Sequence, residues 1–245
     1  MKTESNTILI TGGASGIGYA LAERFLDAGN TVLICGRRED KLKEAKAKRP
    51  ELHVRVADVG TPEGREDLCA WATREFPAVN VLINNAGIQK YPDLKKKPEW
   101  ESLREELAIN LDAPIHLSTL FIPHFLQRKE ATIINVTSGL SFIPLANVPV
   151  YSATKAALHS FTLSLRHQLA KTPVSVVEII PPAVDTDLGG VGLHTFGANL
   201  KAFTDSIWEQ LQGGGTEAAF GFAAESRRIG REQLDAIFAR MNQPR

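Results

Sequence analysis

The chain has 245 residues, 43% of them hydrophobic and 23% charged, with 28 basic side chains against 28 acidic ones. That length buries one large core, and a net charge of zero excludes the basic excess that nucleic acid, anionic lipid or other polyanions demand. Two cysteines, Cys35 and Cys69, are too few for a disulfide framework or a thiolate zinc site.

Short apolar runs rich in β-branched residues predict strands at 7–11, 31–35, 53–57, 79–84, 132–137 and 174–180. Amphipathic stretches at 16–29, 39–48, 62–76, 99–127 and 151–171 alternate with them and predict helices. Several strands are apolar almost throughout, which suits a parallel sheet covered on both faces, and parallel strands need crossovers of this length. The expectation is one α/β domain over 1–245, a doubly wound Rossmann-type parallel sheet. Beyond it, 186–199 is Gly-rich, 200–211 reads as a helix, and Gly213-Gly214-Gly215 precedes a last strand at 218–223. A final helix places Leu234, Ile237, Phe238 and Met241 on one face. The first residues lack the apolar core of a signal peptide and no run reaches membrane-spanning length, so a soluble cytoplasmic protein is expected.

Five local patterns carry chemistry. Thr11-Gly12-Gly13-Ala14-Ser15-Gly16-Ile17-Gly18 follows a strand and opens a helix, where glycines permit a tight turn and close approach of backbone N–H groups to phosphate. The second strand ends at Arg37 and Arg38, with no acidic residue to accept a ribose 2′-hydroxyl and two guanidinium groups suited to a 2′-phosphate. Tyr151 and Lys155 stand at i and i+4, so a phenol and an ammonium share one helix face. The ammonium, together with the positive ring of an oxidised nicotinamide, would favour phenolate and make Tyr151 a usable acid/base. Ser138 lies just past a strand end, where ligand sites gather on an open sheet. Asn110 precedes Pro114 by four residues; proline cannot donate to its carbonyl, so the helix should kink and leave an acceptor for a relay water. Singly, each also reads as a Gly-rich turn, a solvated helix start, a chance pair, a turn serine or a tolerated kink.

Together these residues resemble the classical short-chain dehydrogenase/reductase family from about residue 5 to about 190. Beside the glycine motif, Asp58 resembles its adenine-contacting Asp, and Asn84-Asn85-Ala86-Gly87 its Asn-Asn-Ala-Gly. Asn110, Ser138, Tyr151 and Lys155 match its catalytic residues in order, with the usual thirteen-residue Ser-to-Tyr spacing. Pro181-Pro182-Ala183-Val184-Asp185-Thr186 resembles its nicotinamide-contacting segment, with Pro182 where glycine is usual. The resemblance implies coenzyme contacts at Gly12, Ser15, Gly16, Ile17, Gly18, Arg37, Arg38, Asp58, Val59, Asn85, Ala86, Gly87, Tyr151, Lys155, Val184 and Thr186. It implies NADP in preference to NAD, and a homodimer or homotetramer built through helices 99–127 and 151–171. The segment 213–245 departs from the family pattern, which ends in a Gly-rich strand.

In such a fold Ile88, Leu140, Ile143, Pro144 and Val148 would line an apolar substrate pocket beneath a lid across about 187–212. His194 in that loop reads as solvated. Few charged groups stand ready to grip a phosphate or carboxylate, so an uncharged carbonyl or secondary alcohol is expected as substrate, with no metal, nucleic acid or membrane partner. The expected activity is hydride transfer between nicotinamide and that carbon, with Tyr151 as acid/base. The alternatives are an epimerase or dehydratase that retains its coenzyme, and an NADP-sensing regulator without chemistry.

Overall fold

A computed structural model describes residues 1–243, apart from the side chain of Arg231. The first half runs β1 (Thr7–Thr11), α1 (Gly16–Asp27), β2 (Thr31–Gly36), α2 (Glu39–Lys48), β3 (His53–Val56), α3 (Pro62–Glu75) and β4 (Val81–Asn84). The second runs α4 (Trp100–Leu107), α5 (Ala113–Phe125), β5 (Ala131–Val136), α6 (Pro149–Leu169) and β6 (Val174–Ile180). The chain then adds α7 (Leu200–Gln212), β7 (Glu217–Ala219), α8 (Phe222–Ser226) and α9 (Arg231–Met241).

Seven strands form one parallel sheet in the order β3-β2-β1-β4-β5-β6-β7. Alternation along β1 divides the core: Ile8 and Ile10 pack with Phe25, Phe203 and Ile207 on one face, and Leu9 with Leu117, Phe121 and Leu165 on the other. After building outward from β1 to β3, the chain returns to lay β4 on the opposite side of β1. That reversal opens a crevice at the carboxyl ends of β1 and β4, and there an open α/β sheet binds its ligands.

Two predicted elements come out differently. The helix expected at 99–127 is broken by a π-helical turn, Ala108–Asp112, between α4 and α5. The Ala113 N–H goes to the Ala108 carbonyl five residues back, and Pro114 has no N–H, so Ile109 and Asn110 both lose their usual α-helical donors. The strand expected at 218–223 stops at Ala219, where Phe220 and Gly221 lead into α8. Its outer edge is closed by the Gln210 side chain, whose Nε2 donates to Ala219 O at 3.0 Å and whose Oε1 accepts the Ala219 N–H at 3.1 Å. Half of the expected lid is core, since α7 buries Phe203, Ile207 and Leu211 against α1 and the sheet. No described helix is long and apolar enough to cross a membrane.

Candidate active site

Bare backbone makes the mouth of the crevice. Gly12, past the end of β1, sits at φ +65°, and a Cβ there would come within 2.9 Å of the Ala86 Cα. A Cβ on Gly18 would fall 2.5 Å from the Gly12 carbonyl oxygen, so only glycine lets β1, α1 and the turn after β4 approach this closely. Asn85 fastens the junction, its Nδ2 donating to Thr11 O at 2.9 Å and Gly12 O at 3.2 Å. Thr11 Oγ1 accepts the Asn85 and Ala86 amides, both at 3.0 Å. Ser15, which caps α1, makes no side-chain bond to that helix, and its first-turn N–H groups are available to an anion.

From this mouth a cleft of about 790 Å³ runs along the sheet edge. Gly12, Ser15, Gly16, Ile17, Arg37, Arg38, Asp58, Val59, Asn85, Ala86, Gly87, Tyr151, Lys155 and Thr186 line it. Gly18 and Val184, expected beside them, are buried and do not line it. Lys41 joins Arg37 and Arg38 at the far end. A glycine cradle, an open helix end and a cluster of cations fit the diphosphate and adenosine halves of a dinucleotide.

Acidic partners, absent from the sequence reading, temper those cations. Arg37 Nη1 bonds Glu105 Oε1 at 2.8 Å, while Lys90 Nζ bonds Glu105 Oε2 at 2.6 Å. Hydrogen bonds from Lys90 and Arg37 hold the Glu105 carboxyl below its ordinary pKa. Arg38 Nη2 reaches Ser15 Oγ at 3.3 Å. Neighbouring in sequence, Glu106 is fully buried: Oε1 accepts the Lys90 N–H at 3.0 Å, and Oε2 has no partner among the described residues.

Tyr151 and Lys155 are buried one turn apart on α6, against the end of β5. Lys155 Nζ donates to Val136 O at 2.8 Å and lies 5.6 Å from the centre of the Tyr151 ring. Ser138 sits buried just beyond β5, its Oγ accepting the Leu140 N–H at 3.1 Å. Burial pushes the Tyr151 phenol above its ordinary pKa; the Ser138 hydroxyl pulls it back and Glu106 pushes it further. Burial also draws Lys155 down to about 8, against the attraction of Glu106. In the protein alone, desolvation dominates the ionisation of the phenol. Asn110 braces the site from behind, its Oδ1 accepting the Ile88 N–H at 2.9 Å and its Nδ2 donating to Ile88 O at 2.8 Å.

The substrate end is less apolar than its sequence suggests. Ile143 and Val148 are core residues, and Leu140 and Pro144 do not line the cleft either. Ile88 and Leu188 do, together with Gln89, Lys90 and Gly189. Val191 and Phe196 face outward at 87% and 75% exposure, whereas His194, expected in solvent, is buried, its Nδ1 without a partner among the described residues. Gln89 and Lys90 escaped notice because their role depends on a loop path that local spacing does not record.

The sequence matches the model of the short chain dehydrogenase family over residues 6–191. It is 47% identical to the "Uncharacterized oxidoreductase DltE" of Bacillus subtilis (strain 168), over 99% of this chain and 98% of that protein. With the "Uncharacterized oxidoreductase SAR2567" of Staphylococcus aureus (strain MRSA252) it shares 33% identity over 73% of this chain and 78% of the other. A short-chain dehydrogenase structure from Burkholderia cenocepacia J2315, in complex with NADP, superposes with a TM-score of 0.85 at 25% identity, covering both chains completely.

Proposed function

The chain belongs to the short-chain dehydrogenase family, a family of oxidoreductases, and from that premise we propose an NADP-preferring enzyme that interconverts an uncharged carbonyl and a secondary alcohol. The observation that carries this reading is the burial of Tyr151 and Lys155 side by side, at the strand end where Ser138 stands. When bound, the nicotinamide supplies or accepts the hydride.

Everything else falls to the chain's own groups. Tyr151, held neutral by its surroundings, gives its phenolic proton to the carbonyl oxygen in reduction. The Ser138 hydroxyl orients that oxygen. Lys155 keeps an ammonium near the phenol and has an N–H free of Val136 with which to bind a ribose hydroxyl. The carbonyl of Asn110, relieved of its helical donor by Pro114, accepts a water through which protons reach Lys155. Arg37, Arg38 and Lys41 support the preference for a 2′-phosphate, as does the NADP held by the similar Burkholderia protein. Exposed Leu126, just past α5, and Leu163 on α6 support a homo-oligomer contact through these helices.

Replacing Tyr151→Phe should cut NADPH-linked turnover by at least about 10²–10⁴-fold, because the proton donor is gone. Coenzyme affinity, measured by NADPH fluorescence, should stay close to native. Undiminished turnover in the variant would refute the assignment.

A further inference from the structure

Gln89 is a buried amide that the mechanism leaves unused. It is 8% exposed and lines the cleft. Its Oε1 accepts a hydrogen bond from the Tyr91 hydroxyl at 3.0 Å. Its Nε2 has no protein partner among the described residues and is not fully buried. Gln89 follows Gly87 by two residues, and a Cβ built on Gly87 would lie 3.8 Å from Lys155 Nζ, which puts this stretch at the reacting end. The loop after β6 closes over it: a Cβ built on Gly189 would lie 3.1 Å from Gln89 O and 3.3 Å from Tyr91 Cε2.

With Tyr91 donating to Oε1, the Gln89 side chain is held so that its amide N–H groups are what it has left to offer the cleft. A hydroxyl oxygen on the substrate accepts from Nε2. A methyl group in that place would leave the buried amide unpaired, at a cost of about 1–3 kcal/mol. A carboxylate is poorly served, because the ammonium nearest in sequence is already committed. Lys90 Nζ gives its three N–H groups to Glu105 Oε2 at 2.6 Å, Ser102 O at 2.7 Å and Ser102 Oγ at 3.1 Å.

From this arrangement we infer that Gln89, held in place by Tyr91, forms a specificity subsite for a hydroxyl beside the reacting carbon. The substrate is then a neutral hydroxyketone, or the corresponding diol in the oxidative direction. The inference rests on the oxidoreductase reading above and names the substrate class of that site.

The test uses ketone pairs that differ only in a hydroxyl replacing a methyl group, beginning with hydroxyacetone and butanone and extending to longer homologues. The ratio of kcat/KM within each pair is read with NADPH. The native protein should favour one hydroxyketone by about tenfold or more. In Gln89→Met, nearly isosteric, the ratio should fall to about one, and in Tyr91→Phe to an intermediate value. A native ratio near one in every pair, or an unchanged ratio in Gln89→Met, would overturn the inference while leaving the oxidoreductase reading intact. Loss of turnover with every ketone would instead strike that reading. Thermal melting of the NADP complex with the matching diols and mono-alcohols then decides the subsite. Tighter binding of the diol, lost in Gln89→Met, supports it; equal binding overturns it.

Discussion

Glu105 holds Arg37 with one carboxylate oxygen and Lys90 with the other, so the cation expected to meet a 2′-phosphate starts from an ion pair. Both Arg37 and Glu105 are close to half exposed, which limits the pair to about 1 kcal/mol or less. Replacing Glu105→Gln should therefore tighten NADPH binding by no more than about fivefold and change NADH binding less. Replacing Arg37→Asp should reverse the preference, by repelling a phosphate and accepting from a free ribose hydroxyl. Dissociation constants of both coenzymes for both variants check this; identical ratios in all three proteins would show that Arg37 does not read the phosphate. At this scale the sequence was informative wherever one helical turn sets the geometry. Tyr151 and Lys155 must share a face of α6, whatever the tertiary structure. Glu105 was invisible because it stands 68 residues from Arg37, and only the docking of α4 beside the end of β2 brings them together.

In the first turn of α5, Pro114 illustrates how an element can be specified by a missing hydrogen bond. Its lack of an N–H was legible in the sequence as a kink, but the outcome is a π-helical turn that also diverts the Ala113 amide. The turn carries Asn110, whose side chain grips both polar backbone atoms of Ile88 and so fixes the loop that bears Gln89. Replacing Pro114→Ala supplies the absent donor and favours a continuous α-helix, which rotates Asn110 off Ile88. The variant should melt no lower than native, since an interior proline is unfavourable by up to about 3 kcal/mol, and its kcat/KM should fall about tenfold or more. Full activity with unchanged melting would show that the π turn does not position Asn110. The chain's end was harder to foresee. The segment 218–223 has the composition of a strand, yet β7 is only three residues long, and its free edge is met by a glutamine amide instead of another strand. Nothing in local hydropathy signals such a substitute. It protects an edge that would otherwise present unpaired backbone groups.

Across the whole molecule, the alternation of apolar runs and amphipathic stretches was enough to foresee a doubly wound parallel sheet, because parallel strands leave the chain little choice but helical crossovers. The site is where the same sheet gives up stability. Lys155 is an amine 4% exposed, held by one backbone carbonyl and drawn down to about 8 by burial. Its unfolded value is that of an ordinary lysine, near 10.5. Between those values the unfolded chain binds the extra proton and the folded one does not, so folding stability due to this group rises with pH through that window. Below about pH 8 the full penalty remains, on the order of 1–3 kcal/mol. Replacing Lys155→Met keeps the apolar stem and removes the charge. Urea unfolding should find the variant more stable than native at pH 7, with the difference shrinking steadily as pH approaches 10.5. Taking the difference between two proteins at each pH cancels the titration of Tyr151 and other distant groups, to the extent that they do not couple to Lys155. A variant less stable at pH 7, or a gap that widens with pH, would mean that the ammonium is well solvated by its neighbours. The cleft would then carry no cost to the fold, and the exchange of stability for function would have to be sought in another buried group, Glu106 first among them.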